Sequence, residues 1–104
     1  RRDRRGFVTT DYVLDETATL LKARGHSHLA AKFLETTLAS RACQVCWMDP
    51  SLFEQVRDFF VRHSDKDWSF TDCVSFRIMK ERKLRSALTR DHHFTQAGFE
   101  KLLD

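Results

Sequence analysis

Hydrophobic and polar positions fall in blocks whose period switches between that of a strand and that of a helix. Residues 7–9 form a short aromatic and β-branched run that stops at Thr10, a good N-cap. From Asp11 to about Arg24 the period predicts a helix with Val13, Thr17, Leu20 and Leu21 on one face and Glu16 near its flank. Gly25 stands where a C-cap would, and residues 28–39 predict a second helix with Leu29, Phe33, Leu34 and Leu38 as its buried stripe. Residues 43–48, CQVCWM, read as the next strand. Asp49 and Pro50 join an N-cap to a proline at the first helical position. They open a helix to about His63 whose Leu52, Phe53, Val56, Phe59 and Phe60 form the cleanest amphipathic stripe in the chain.

Beyond a polar loop at residues 64–68, the stretch from Thr71 to about Arg82 predicts a helix. It carries Cys73, Val74, Phe76, Ile78 and Met79 almost all the way round, so it is expected to be packed between other elements. Residues 86–89 predict a third strand, 92–97 a short helical turn and 99–103 a last strand. Strands separated by helices of this length need crossover connections. The expected fold class is therefore α/β, with a mostly parallel sheet covered on both faces. No repeat, low-complexity linker or interior boundary interrupts the pattern, and 104 residues support a single domain spanning 1–104.

Composition narrows the function classes only a little. Hydrophobic residues at 41% and charged residues at 32% are ordinary for a globular chain and speak against disorder. Nine Phe and two Trp are an unusual aromatic share, expected mostly in the core. A net charge of +3 permits a polyanionic partner without requiring one. No apolar run approaches the roughly 20 residues needed to span a bilayer, and no signal-like stretch follows the basic start, so a cytoplasmic protein with no membrane association is expected. Three cysteines, an odd number, argue against a closed disulfide framework. The chain opens RRDRRG without an initiator Met, which suggests that something upstream is missing.

Three acidic residues carry the candidate chemistry: Glu16 in TTDYVLDET, Asp72 in DWSFTDCVSF and Asp91 in LTRDHHF. In open α/β sheets ligands bind beyond the carboxyl ends of the strands. Asp91 follows a predicted strand, Glu16 lies in the second turn of the helix after another, and Asp72 lies in the first turn of its own helix, so all three can face one rim. Carboxylates gathered this way repel one another unless a cation or proton neutralises them, which points to a hard metal. Each residue also has a plain reading. Asp72 with Ser69 fits a capping box, Asp91 fits a turn or N-cap, and Glu16 fits a solvated helix face. Cys43-x-x-Cys46 with His92 and His93 raises zinc as an alternative. Strand residues three apart point to opposite faces, which ranks zinc well below the carboxylate site. His93, before Phe94, reads as structural.

The phrases TTDYVLDETATLL, SFTDCVSFRIMKE and ALTRDHHFTQAGFEKLL together resemble the PIN-domain proteins of the bacterial and archaeal VapC-type ribonuclease toxin group, in the right order and over nearly the whole chain. The resemblance implies a three-layer α/β/α nuclease fold in which acidic residues bind Mg²⁺ or Mn²⁺ and RNA phosphodiesters are hydrolysed. By position, Glu16 matches the family's helix glutamate, Asp72 its central aspartate and Asp91 the aspartate after the fourth strand. Thr71 and Ser69 then become candidate hydrogen-bond donors to a phosphate. Arg77, Lys80, Arg82, Lys83, Arg85 and Arg90, with the basic cluster at residues 1–5, become candidates for the RNA backbone. Trp68 could stack on a base, although a core or rim position is the stronger reading. Implied partners are RNA, a cognate antitoxin and a second copy in a homodimer.

One departure stands out. The family begins with a strand ending in a metal-binding aspartate, followed by a helix, and Asp3 among arginines does not match it. The first strand and helix of the family are therefore expected to be absent, leaving two central strand edges open to strand exchange with another copy. A catalytically inactive remnant that binds RNA or protein is the alternative function.

Overall fold

The structure is a computed structural model that describes residues 2–3 and 6–104. Its first turn of chain is set by Thr10. This fully buried residue caps the next helix by accepting a hydrogen bond from the Val13 N–H on its hydroxyl at 3.2 Å. The chain thus passes directly from β2 (Gly6–Thr10) into α1 (Asp11–Ala23). Gly25, at φ +83°, ends α1 with a Schellman motif, its N–H on the Lys22 carbonyl and that of His26 on Leu21. The turn sends α2 (Ser27–Ala39) back alongside α1.

β3 (Cys43–Cys46) pairs parallel to β2 in the register Phe7↔Cys43 to Thr10↔Cys46. Gly6, at φ +117°, lets the two backbones approach, because any Cβ there would collide with the Ala42 carbonyl. β1 (Arg2–Asp3) lies on the other edge of β2, antiparallel to Gly6 and Phe7. Asp49 caps α3 (Pro50–Arg62) by accepting the Leu52 N–H at 2.8 Å, and Ser69 caps α4 (Phe70–Glu81). β4 (Ser86–Ala87), α5 (His92–Gln96) and β5 (Glu100–Lys101) complete the order, with β5 parallel to β4.

α4 is the centre of the core, as its nearly all-round apolar sequence requires. Cys73, Val74, Ser75, Phe76, Ile78 and Met79 are all buried. One side meets Val56 of α3 and Trp68, and Ile78 meets Val8 and Cys46 of the sheet. Trp68 is 8% exposed and donates its Nε1–H to Gln96 at 2.8 Å, so it belongs to the core and is not free to stack on a base. The helices over the sheet bury less than their periodicity suggests. α1 buries Leu14, because its N-terminal half faces β2 and α4, while Leu20 projects past them and is 48% exposed. In α2 only Ala30 is fully buried, and Leu29 and Leu38 stand half exposed.

The strands form two sheets where one was expected: β1-β2-β3, and the pair β4-β5. Each main pairing is parallel, in keeping with an α/β fold. The predicted strands at 86–89 and 99–103 shorten to two residues each, although hydrogen bonds from Leu102 N to the Ala87 carbonyl and Leu103 N to that of Thr89 continue the alignment. Between the sheets lies a cavity of about 430 Å³, with Phe7, Val8 and Thr9 among its lining on one side and Ala87, Leu88 and Thr89 on the other.

None of the three cysteines is in a disulfide. Burial, with Asp72 adding to it, pushes the Cys73 thiol up to about 11. Native protein at pH 8 is therefore expected to expose Cys43 alone to a thiol reagent, with buried Cys46 and Cys73 reacting only after denaturation; a two-step disulfide-exchange assay checks this.

Candidate active site

Three elements deliver carboxylates to one end of the cavity between the sheets. Asp72 comes from the first turn of α4, Glu16 from the second turn of α1, and Asp91 from the cap of α5; all three line the cavity. The plain reading of Asp72 holds, and it leaves the carboxylate lining the cavity. Ser69 Oγ accepts the Asp72 N–H and Asp72 Oδ2 accepts the Ser69 N–H, both at 3.0 Å, a complete capping box. Asp91 is likewise an N-cap, its Oδ1 accepting the His93 N–H at 2.9 Å, while its own N–H is held by Thr89 Oγ1 at 3.0 Å. Capping fixes each carboxylate at the rim with little freedom to move away.

The electrostatics register their convergence. Glu16 titrates above the ordinary carboxylate range, first because it is partly desolvated and then because Asp72, Asp91 and Asp15 repel its charge. Carboxylates so arranged offer oxygen donors to a hard divalent ion, which keeps several waters and therefore needs few protein ligands. The residues present fit such an ion.

His93 is the member that sequence reasoning set aside as structural. Its ring is held between Asp91 and Asp72, with Nδ1 at 2.8 Å from Asp91 Oδ1 and 3.6 Å from Asp72 Oδ2. Both ring nitrogens are buried without an aligned hydrogen bond among the described residues. The available signal was its position two residues after a candidate ligand. Asp91, His92 and His93 together present ligand atoms within 4.8 Å of one another. Cys43, by contrast, lines the cavity while Cys46 packs with Val8 and Ile78, so the two cysteines do not share a site.

The other candidates divide. Thr71 lines the cavity beside Asp72, whereas Ser69 is exposed and already uses its oxygen as a cap acceptor. Arg90 is exposed next to Asp91. Arg77 lies elsewhere: its guanidinium donates to Gln55 Oε1 of α3 at 3.0 and 3.2 Å. Arg82 is similarly turned to Gln44 at 2.9 Å. The side chains at residues 1–5 fall outside the described residues. Asp11 went unnoticed in the sequence, yet both its carboxylate oxygens accept the Met48 N–H at 3.2 Å and tie the start of α1 to the end of β3.

Comparison with known proteins identifies the fold and the family. The PIN domain family model matches residues 2–100. The 23S rRNA-specific endonuclease VapC20 of Mycobacterium tuberculosis is 35% identical over 92 residues, covering 88% of this chain and 70% of that protein. A VapC ribonuclease of Archaeoglobus fulgidus is 34% identical over 80 residues, 76% of this chain and 50% of that protein. The crystal structure of M. tuberculosis VapC20, described as a sarcin-ricin loop cleaving toxin, superposes with a TM-score of 0.86 at 31% identity, over 96% of this chain and 76% of that one. With this fold, this order of motifs and these relatives, the chain belongs to the PIN-domain family, in its VapC-type group.

Proposed function

We infer that this chain is the nuclease domain of a VapC-type toxin, an endoribonuclease that hydrolyses RNA phosphodiester bonds with Mg²⁺ or Mn²⁺. The observation that carries the reading is the meeting of Glu16, Asp72 and Asp91 at one end of a single cavity, in a chain 35% identical to an rRNA endonuclease. Asp72 and Asp91 would hold the ion, with Glu16 beside them. When bound, it would lower the pKa of a water so that, on losing a proton, the water can attack phosphorus, and it would supply positive charge facing the phosphate. Thr71 is placed to donate its hydroxyl to a phosphate oxygen, and Ser69 retains a hydroxyl proton for the same use. Arg90 at the rim would bear on the RNA backbone, a contribution that weakens as salt rises, and Arg77 would do so only for RNA that extends past the cavity to α3 and leaves its bonds to Gln55. RNA, a cognate antitoxin and a second copy of the chain are the proposed partners. No helix among the described residues is long and apolar enough to cross a membrane, and a cytoplasmic site is proposed for the chain.

The chain is further proposed to lack the family's first strand and helix, and the cavity between β2 and β4 supports that part of the reading. The second function is a non-catalytic module that binds RNA or protein. A fluorescent RNA hairpin incubated with the chain and Mn²⁺ or Mg²⁺ separates the two. Cleavage that stops with EDTA is expected of the nuclease; cleavage that persists with EDTA overturns the metal-dependent reading. Cleavage only by a chain extended upstream would assign the remaining ligand to the added segment.

A further inference from the structure

One side chain at the carboxylate site has no part in the chemistry described so far. The His93 ring is 17% exposed, and neither of its nitrogens has an aligned partner among the described residues. Burying polar nitrogens unpaired costs roughly 1–3 kcal/mol, so the ring's place calls for a compensating role. Its Nδ1 is the one atom within 2.8 Å of Asp91 and 3.6 Å of Asp72, carboxylates that arrive from different elements. A lone pair on Nδ1 would repel both, whereas an N–H there attracts both.

We propose that His93 is the positioning residue of this site: its Nδ1–H faces the carboxylates of Asp91 and Asp72 and sets the separation at which they receive a divalent cation. The inference rests on the metal-dependent reading above. The same residue already holds Asp91 Oδ1 through its main-chain N–H at 2.9 Å, so backbone and ring act on one oxygen and Oδ2 is left for a ligand. The 2.8 Å approach is short but off-line, and such contacts commonly align only when a ligand draws the acceptors in. Imidazoles and other groups behind metal ligands orient them in this way across many sites.

The test is Mn²⁺ titration of the chain, read as loss of the free-ion paramagnetic resonance signal, for wild type, His93→Asn and His93→Phe. Asn returns an amide N–H to the place of Nδ1, and Phe keeps a ring of similar volume without nitrogen. His93→Asn is expected to bind Mn²⁺ close to wild type. His93→Phe is expected to weaken binding by about 10–100-fold, with a metal-free thermal midpoint no lower than that of the wild type. Wild-type affinity in His93→Phe, or equal loss in both variants, overturns the proposal. No Mn²⁺ uptake by the wild type removes the metal reading, and this inference with it.

Discussion

Asp72→Asn is expected to lower RNA cleavage by about 100-fold or more while leaving the fold intact. The two effects separate because the proposed function gives the residue a second job beside its cap. As a cap it needs only an acceptor for the Ser69 N–H and its own N–H on Ser69 Oγ, and Asn keeps both. As a donor to a divalent ion it needs negative charge, which Asn lacks. Removing that charge also takes one repulsive neighbour from Glu16, whose carboxyl is raised by burial first and by Asp72 next. A carboxyl raised in the folded state binds its proton more tightly there than in the unfolded chain. Its contribution to stability is thus present below the unfolded value and is lost as pH rises through the folded one. In EDTA, wild-type resistance to urea should decline across that interval just above the ordinary Glu range, and Asp72→Asn should flatten the decline. Cleavage rates in Mn²⁺ and urea midpoints against pH check the two halves independently; a variant that cleaves normally would remove Asp72 from the site.

The features legible in the sequence were those decided within a few residues. Thr10, Asp49 with Pro50, and Ser69 with Asp72 each satisfy helix N–H groups three positions on, so the pattern alone exposes them. The candidate site was legible for a related reason: Asp72 and Asp91 sit at helix starts and Glu16 one turn further in, and all three line one cavity. The rest depends on what lies across space. Leu29 and Leu38 have helical spacing, but among the described residues that side of α2 is left half exposed. Asp11 meets Met48 across 37 residues, and local pattern carries no trace of that bond. His93 was read from its neighbour Phe94, while its ring also lies 3.6 Å from Asp72 on a different helix. The split into two sheets was also beyond local pattern, because it concerns which edges meet and not which residues form strands.

Phe76→Ala is expected to cost about 3–5 kcal/mol, enough to unfold much of a domain whose total stability is of order 5–15 kcal/mol. Phe76 is 2% exposed and meets three rings: Trp68 at 5.1 Å and Phe94 at 4.9 Å edge to face, and Phe99 at 5.8 Å nearly parallel. Those partners come from the loop before α4, from α5 and from the lead-in to β5, so one side chain holds the C-terminal segment onto the core. Removing it leaves a cavity that three separate elements must collapse to fill, which places the cost at the upper end of the range. Phe60→Ala on α3 is the control. That ring is 39% exposed and its described ring partner is Phe70 alone, so its cost should be much smaller. Urea midpoints at constant m decide the comparison. The milder Phe76→Leu should keep the fold but loosen Phe94, the residue next to His93. Amide exchange at His93 and Phe94 should then rise ahead of exchange in α3, and RNA cleavage should fall although no carboxylate has changed. Core and site are joined here by a single step of chain, from a ring that packs to a ring that faces Asp91.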